Sequence, residues 1–245
     1  MSEGPEHLLP RLNKVPAKQE VLPQELAERF ITHTLGDGPP LKEMNNSSYW
    51  RVLDKEVEVP GLGKARLVVD YRRYHGKDSG QSGFEQILFD YYGAEADKEG
   101  NHPLIAEMHW FVRNLEDELP YDLALSHRNV KEPFRERGIG ASLYNVAESW
   151  VRQVAHLKQQ DLTLCIAAGQ PDVMRFAEKR GYESYERDAA LRKEVEQHPE
   201  RFELKPDFTS LAGDRAPYAY RKTEDGLEED PIRVWFRKVI PANES

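Results

Sequence analysis

The chain has 245 residues, 39% of them hydrophobic and 31% charged, a balance expected of a folded, soluble globular protein rather than a disordered one. Lys and Arg total 34 against 43 Asp and Glu, and the net charge of −9 disfavours nucleic acid as a partner while favouring a cationic one such as an amine. Apolar runs such as Leu164–Ala168 are too short to cross a bilayer, and a single cysteine, Cys165, excludes an intrachain disulfide and a Cys-rich zinc site.

The start of the chain lacks the basic stretch and apolar core of a secretory signal, so a cytoplasmic address is expected. Residues 1–22, rich in Pro, Lys and Glu, read as a mobile or loosely docked arm. Pro23 to Leu35 reads as a short helix, with Pro23 near its first turn, Gly36 to stop it, and Leu26 and Phe30 on its buried face. Residues 36–46 read as loop. The organisation expected is an N-terminal arm and helix over 1–45, then one domain over 46–240 with an insertion at about 184–231.

A β-rich stretch follows. Val52–Val59 and Ala65–Tyr74 flank Pro60-Gly61-Leu62-Gly63-Lys64, a hairpin signature. His75–Gly83 is a loop. Phe84–Tyr92 and Leu104–Arg113 are strands separated by a polar segment, and Tyr121–Val130 is the next, with a bulge expected over His127–Val130 where alternation breaks. The period then changes. Leu143, Val146, Ala147, Trp150, Val151, Val154 and Leu157 make one stripe of an amphipathic helix over about 140–157. Asp161–Ala168 reads as a buried strand. Gln170-Pro171-Asp172 opens another helix, with Val173, Phe176 and Ala177 facing inward and Gly181 ending it. Ala189–Gln197 reads as a helix, Phe202–Asp214 as irregular, and Ile232–Ile240 as a strand closed by Pro241.

The informative unit is Tyr121–Tyr182, a strand–loop–helix–strand–helix. Its first loop, Arg135-Glu136-Arg137-Gly138-Ile139-Gly140-Ala141, runs straight into the long helix. The first N–H groups of a helix have no internal partners and sit at the positive end of its dipole. Glycines let a diphosphate approach that backbone, and Arg135 or Arg137 adds charge. A tight turn that needs glycine for its dihedrals accounts for the same spacing.

Arg135, Gly138 and Gly140, in an Arg-x-x-Gly-x-Gly pattern, together with the lead-in Val130-Lys131-Glu132-Pro133-Phe134, resemble the cofactor loop of the GNAT superfamily of acetyl-CoA-dependent N-acetyltransferases. Phe176-Ala177-Glu178-Lys179-Arg180-Gly181-Tyr182 resembles the second signature of that family, and Gln170 falls where the family usually has Asn. The resemblance implies an α/β fold with a mixed, mostly antiparallel sheet and helices on both faces. It implies acetyl-CoA as co-substrate, its diphosphate on the N–H groups of Arg137, Gly138, Ile139, Gly140 and Ala141. The pantetheine arm would pair with the strand ending at Asn129 and Val130 and reach Gln170, and a backbone N–H near Val130 would hold the oxyanion. The acceptor implied is a primary amine on a small molecule or a peptide. A Rossmann reading lacks the acidic residue expected at the end of a second strand.

One position departs from the family. Ala177 stands where many members carry the Tyr that protonates the departing thiolate. Another group must do that work, or solvent does, or the protein binds acyl-CoA without turnover; a purely structural protein is a further alternative. Tyr144 and Tyr182 lie nearby in sequence, Tyr182 more as a core residue. A base is needed to take the ammonium proton. His127, beside the implied cofactor and with an imidazole that titrates near neutrality, is one candidate; a core histidine is its other reading. Glu107 and His109 share a face of the preceding strand and are the next. No spacing supports a metal site among these three. Arg128 reads as an ion-pair partner or a carboxylate anchor, Cys165 as packing, and Tyr91-Tyr92 and Tyr218-Ala219-Tyr220 as strand aromatics or pocket lining.

Overall fold

A computed structural model describes residues 27–28, 42–44, 47–74, 84–112, 122–205, 218–224, 226–228 and 232–243. The arm at 1–22, Leu26, Phe30, the His75–Gly83 loop, Tyr121 and residues 206–217 lie outside the described residues. Of the helix expected over 23–35, Ala27 and Glu28 are described, and both are helical.

Alternation builds the first half of the chain. Strands β1 (Lys42–Met44), β2 (Ser47–Val59), β3 (Gly63–Tyr74), β4 (Phe84–Gly93), β5 (Leu104–Val112) and β6 (Leu123–Val130) lie side by side in chain order, each antiparallel to the next. Every second residue points into the core: Ala65, Leu67, Val69 and Tyr71 on β3, then Ile87, Phe89 and Tyr91 on β4. The β2–β3 turn closes with Leu62 N–H donating to Val59 O at 3.0 Å, and Gly61 and Gly63 supply its positive φ angles. Strand β1 falls in the segment expected to be loop. Its three residues, two of them charged, carry no strand signal, and pairing with the start of β2 organises them.

Helix α1 (Ile139–Lys158) then crosses to β7 (Leu162–Ala168), which runs parallel to β6. This is the one parallel pair in the nine-stranded sheet, whose order is β1-β2-β3-β4-β5-β6-β7-β12-β8. Helix α2 (Pro171–Lys179), the short edge strand β8 (Glu183–Ser184) and helix α3 (Ala189–Gln197) follow, and β12 (Val234–Ile240) returns antiparallel between β7 and β8. The 184–231 segment carries a separate three-stranded sheet of β9 (Phe202–Lys205), β10 (Tyr218–Thr223) and β11 (Gly226–Leu227), where the sequence suggested strand only at Tyr218–Tyr220 and irregular structure over Phe202–Asp214.

The core stripe of α1 holds at Leu143, Ala147, Trp150, Val151 and Val154, with Phe89 stacked obliquely on Trp150. Leu157 is exposed, because it lies in the last turn beyond the sheet edge. On α2 the fully buried residues are Met174 and Ala177, with Val173 and Phe176 half-buried. Buried residues of α1, α2 and α3 all join one large apolar cluster with the inward strand residues. The other side of the β6–β7–β12 region carries a small cluster of Ala124 and Cys165 with Phe111, Tyr185 and Trp235. Thus the described residues give a mixed, mostly antiparallel α/β sheet whose described helices contribute to one side of it. Among them no helix is long and apolar enough to cross a membrane.

Candidate functional site

Strands β6 and β7 separate soon after they meet. They pair at Leu123 with Leu164, Ala124 with Cys165 and Leu125 with Ile166. Beyond that point β6 continues against β5 through Val130, while Ala167 and Ala168 of β7 pair with β12. The C-terminal half of β6 therefore borders a gap in the sheet. The divergence begins at a bulge: Leu125 faces Trp110 and His127 faces His109, leaving Ser126 without an opposite number. The bulge sits just before the expected 127–130 stretch. Polarity at 127–129 reflects a strand that borders a gap, rather than the extra residue itself.

The chain leaves β6 through a 3-10 turn at Glu132–Phe134 and enters α1 through the glycine loop. Glu136 and Gly138 both have positive φ, 62° and 76°. Gly138 is the N-cap of α1, with no side-chain cap and no acidic residue in the first turn. The first intrahelical bond is Ser142 N–H to Gly138 O at 2.9 Å, so the N–H groups before it have no partner inside the helix. Arg135, Glu136, Arg137 and Gly138 are exposed around this end, and Arg135 Nε donates to Val130 O at 3.0 Å. Two close approaches hold the loop. A Cβ on Gly140 would lie 3.1 Å from Val130 Cγ2, and one on Gly61 would lie 2.3 Å from the Arg137 carbonyl oxygen. The β2–β3 turn is therefore a buttress under the glycine loop, a role that the sequence reading missed.

Across the gap, Gln170 is the half-buried N-cap of α2, directly after β7 and Gly169. Arg128 lies between β6 and α2 with its guanidinium 4.1 Å from the centre of the Phe176 ring. Burial pushes that guanidinium below its ordinary value, against the pull of Asp172. Stacking, with no ion pair among the described residues, takes the place of the salt bridge expected for it. Arg180 covers the Tyr144 ring at 4.7 Å and bonds Asn145.

Ala177 is fully buried under α2. The hydroxyls of Tyr144 and Tyr182 hydrogen-bond each other, and burial pushes both phenols far above the ordinary tyrosine range. Beside them Lys238 Nζ donates at 2.7 Å to Glu148 Oε1 and Arg152 Nη2 donates at 2.8 Å to the same oxygen. The pair of phenols belongs to a closed polar seam between α1 and α2. Cys165 is buried, its thiol pushed up by burial and 3.2 Å from Tyr185 Oη, as its packing reading implied. Tyr91 is core, with its hydroxyl 3.4 Å from Ser142 Oγ.

The opposite face of β3–β6 mixes buried Val68 and Leu88 with a group of polar residues. Register sets Asp90, Glu107 and Asn129 in one row across β4, β5 and β6, and Leu88, His109 and His127 in the next. Asn129 Nδ2 donates to Glu107 Oε1 at 3.3 Å, and His109 Nε2 lies 3.6 Å from Glu107 Oε2 and 3.9 Å from Asp90 Oδ1. Lys131 Nζ is 3.9 Å from Glu107 Oε1. Glu107, His109 and Asn129 are thus brought together; the His127 side chain lies outside the described residues. Asp90 is the member that sequence reading missed. It is 7% exposed, and its Oδ1 has no hydrogen-bond partner. Burial, then the charges of Glu107 and Asp70, push its carboxyl up to about 7. Alternation alone puts Asp70, Asp90 and Glu107 each at an outward position of its strand, and only the register between strands brings them together.

Comparison of the chain with models of known protein families and with characterised proteins gives no match.

Proposed function

We propose that the chain is an acyl-CoA-dependent N-acyltransferase on the GNAT plan, moving an acetyl or similar short acyl group to a primary amine. One observation carries this reading: the single parallel strand pair opens after three residue pairs, and the glycine loop into α1 stands at the end of the same strand. A thin acyl-bearing arm needs such a gap, because an unpaired strand edge offers it backbone hydrogen-bond partners.

The residues fit the nucleotide end of acetyl-CoA. The N–H groups from Arg137 to Ala141 lie at the positive end of the helix dipole, with no side-chain cap and no acidic residue in the first turn to compete. Arg135 and Arg137, both exposed, bring cationic charge to that end. Asn129 and Val130 offer main chain along the gap, and Gln170 stands on its far side. Bound there, acetyl-CoA supplies an activated acyl group. The residues of the chain then orient the amine and take its proton, with Glu107, His109 and His127 as the basic groups nearest to β6. A cytoplasmic setting belongs to the same proposal and rests on the lone cysteine.

A second reading has its own support. Ala177 cannot protonate a leaving thiolate, and Tyr144 and Tyr182 are bonded to each other. A protein that binds acyl-CoA without turnover has no need of that acid. Calorimetric titration with acetyl-CoA, beside a Gly138→Trp variant, tests the shared part: saturable binding in the wild type and loss in the variant are expected. Release of free thiol over a panel of amines then separates transfer from binding alone. Absence of any heat or thermal shift with acetyl-CoA in the wild type would remove both readings.

A further inference from the structure

We infer that Asp90 and Glu107, facing each other across β4 and β5, hold one ammonium group of a diamine or polyamine. The pair is a binding site in its own right; its role as an anchor for the acceptor rests on the N-acyltransferase reading above.

Like charges set directly opposite each other in a sheet destabilise it, more so when buried. The chain has the means to avoid this and uses them next door. Asp70, one strand away, receives Arg51 Nε at 2.8 Å and Arg51 Nη2 at 3.2 Å. Asp90 receives no such partner. Around it stand Asp70 and Arg72 from β3, Tyr92 from its own strand, and Glu107 and His109 from β5. Among the described residues, the nearest contacts to its carboxyl are Tyr92 Oη, 3.5 Å from Oδ2, and His109 Nε2, 3.9 Å from Oδ1. The unpartnered Oδ1 points toward His109, into the cluster rather than away from it. The buried Oδ1 of Asp90 has no hydrogen-bond donor and faces His109, which itself lies 3.6 Å from Glu107, so the acid is left unmatched within the cluster.

The chemistry selects the ligand. Calcium or magnesium asks for six or more oxygen ligands, or for a near-octahedral set completed by water. Here the neighbouring Asn129 turns its N–H donor, not its carbonyl, toward Glu107, and no grouping of three His, Cys, Asp or Glu for a metal occurs among the described residues. An ammonium carries three N–H donors and is satisfied by two or three acceptors, which the facing carboxylates provide. The place of the pair sets the length. Glu107 is opposite Asn129, on the strand that borders the gap, and Asp90 is one strand further. Neighbouring strands lie about 5 Å apart, so a group held by the pair stands about 5–10 Å from that edge. A second amine at the gap then requires a chain of a few carbons between the two nitrogens.

The test titrates the full chain calorimetrically with 1,4-diaminobutane at a pH of about 8, above the value of about 7 for Asp90. The uncharged 1,4-butanediol is the control. Saturable binding of the diamine and none of the diol is expected. Asp90→Asn and Glu107→Gln should each weaken it at least about tenfold, while Glu56→Gln, an exposed carboxylate beside Lys64, leaves it unchanged. Thermal unfolding of each variant establishes that it is folded. Acetyl-CoA binding is measured on the same samples. Diamine binding that depends on Asp90, without acetyl-CoA binding in the wild type, keeps the cation site and removes the acyltransferase reading. Acetyl-CoA binding with diamine binding absent, or indifferent to both substitutions, overturns the site alone.

Discussion

Replacing Asp90 by Asn should stabilise the protein, and only at neutral and alkaline pH. The carboxyl is raised from 3.8 to about 7 in the fold, first by burial and then by Glu107 and Asp70. Between those values the folded chain holds a proton that the unfolded chain has released. The contribution of Asp90 to stability is therefore greatest below about pH 4, falls as the pH rises through about 7, and is lowest above it. A shift of roughly three units corresponds to about 4 kcal/mol at most, part of it shared with Glu107. Asn keeps the shape, removes the charge, and can donate an N–H to Glu107. Its own desolvation takes back about 1–2 kcal/mol, leaving a net gain of about 1–3 kcal/mol at pH 8. For a chain of this length that is a rise of about 2–10 °C in Tm. Thermal unfolding of both proteins from about pH 4.5 to 8 reads it, with the two curves converging at the acid end. A variant less stable than wild type at pH 8, or a difference that does not change with pH, would refute the reasoning.

Three further substitutions probe other parts of the site. Gly61→Ala places a Cβ about where the Arg137 carbonyl oxygen stands and adds a side chain at positive φ, so it should lower stability by about 1–3 kcal/mol and weaken acetyl-CoA binding from a turn that need not touch the ligand; calorimetry beside a melting curve reads both. Tyr182→Phe removes one of the two partners of the Tyr144 hydroxyl, leaving Glu148, and should cost about 1 kcal/mol, with the pH profile of any transferase activity unmoved, because the two phenols belong to a structural seam. Arg128→Lys should fail to restore what Arg128→Ala loses in stability, since a planar guanidinium stacks on Phe176 and an ammonium stacks less well; melting temperatures of the two variants compare them.

The strands and helices were legible where burial on one side imposes a period. The alternation of β3 and β4 and the stripe of α1 follow directly from one apolar side facing the large cluster. Pairing between distant segments hid the rest. Strand β1 and the small sheet of β9 to β11 carry too few apolar residues to announce themselves, and they become strands because a neighbour supplies the hydrogen bonds. The glycine loop was legible as a helix entry because positive φ at Gly138 favours glycine and close packing at Gly140 suits a residue without a side chain. Its buttress was not, since Gly61 serves its own turn as well and nothing local links it to Arg137. Glu107 and His109 could be placed on one face from spacing alone. Asp90 could not be joined to them, because register between β4 and β5 is set by the core residues on the other face.

That register makes the carboxylate pair informative. Several other acids among the described residues are matched. Glu148 takes hydrogen bonds from Lys238 and Arg152 and is held below its ordinary value despite burial. Asp122, Asp161 and Asp188 each accept a backbone N–H, from Thr163, Ala242 and Trp235, at 2.7–2.9 Å. Asp70 has Arg51. A chain that satisfies these groups and leaves one oxygen of Asp90 unmatched carries a local cost that folding alone does not require. The same residue sits two strands from β6, where the sheet gives up its pairing with β7. Two departures from an optimal sheet, an opened strand pair and an unmatched acid oxygen, fall within a few strand spacings of each other and beside the uncapped start of α1. Local costs of this kind gather where a ligand completes the structure, and they would give the proposed cation site and the proposed acyl-CoA gap a common place in the fold.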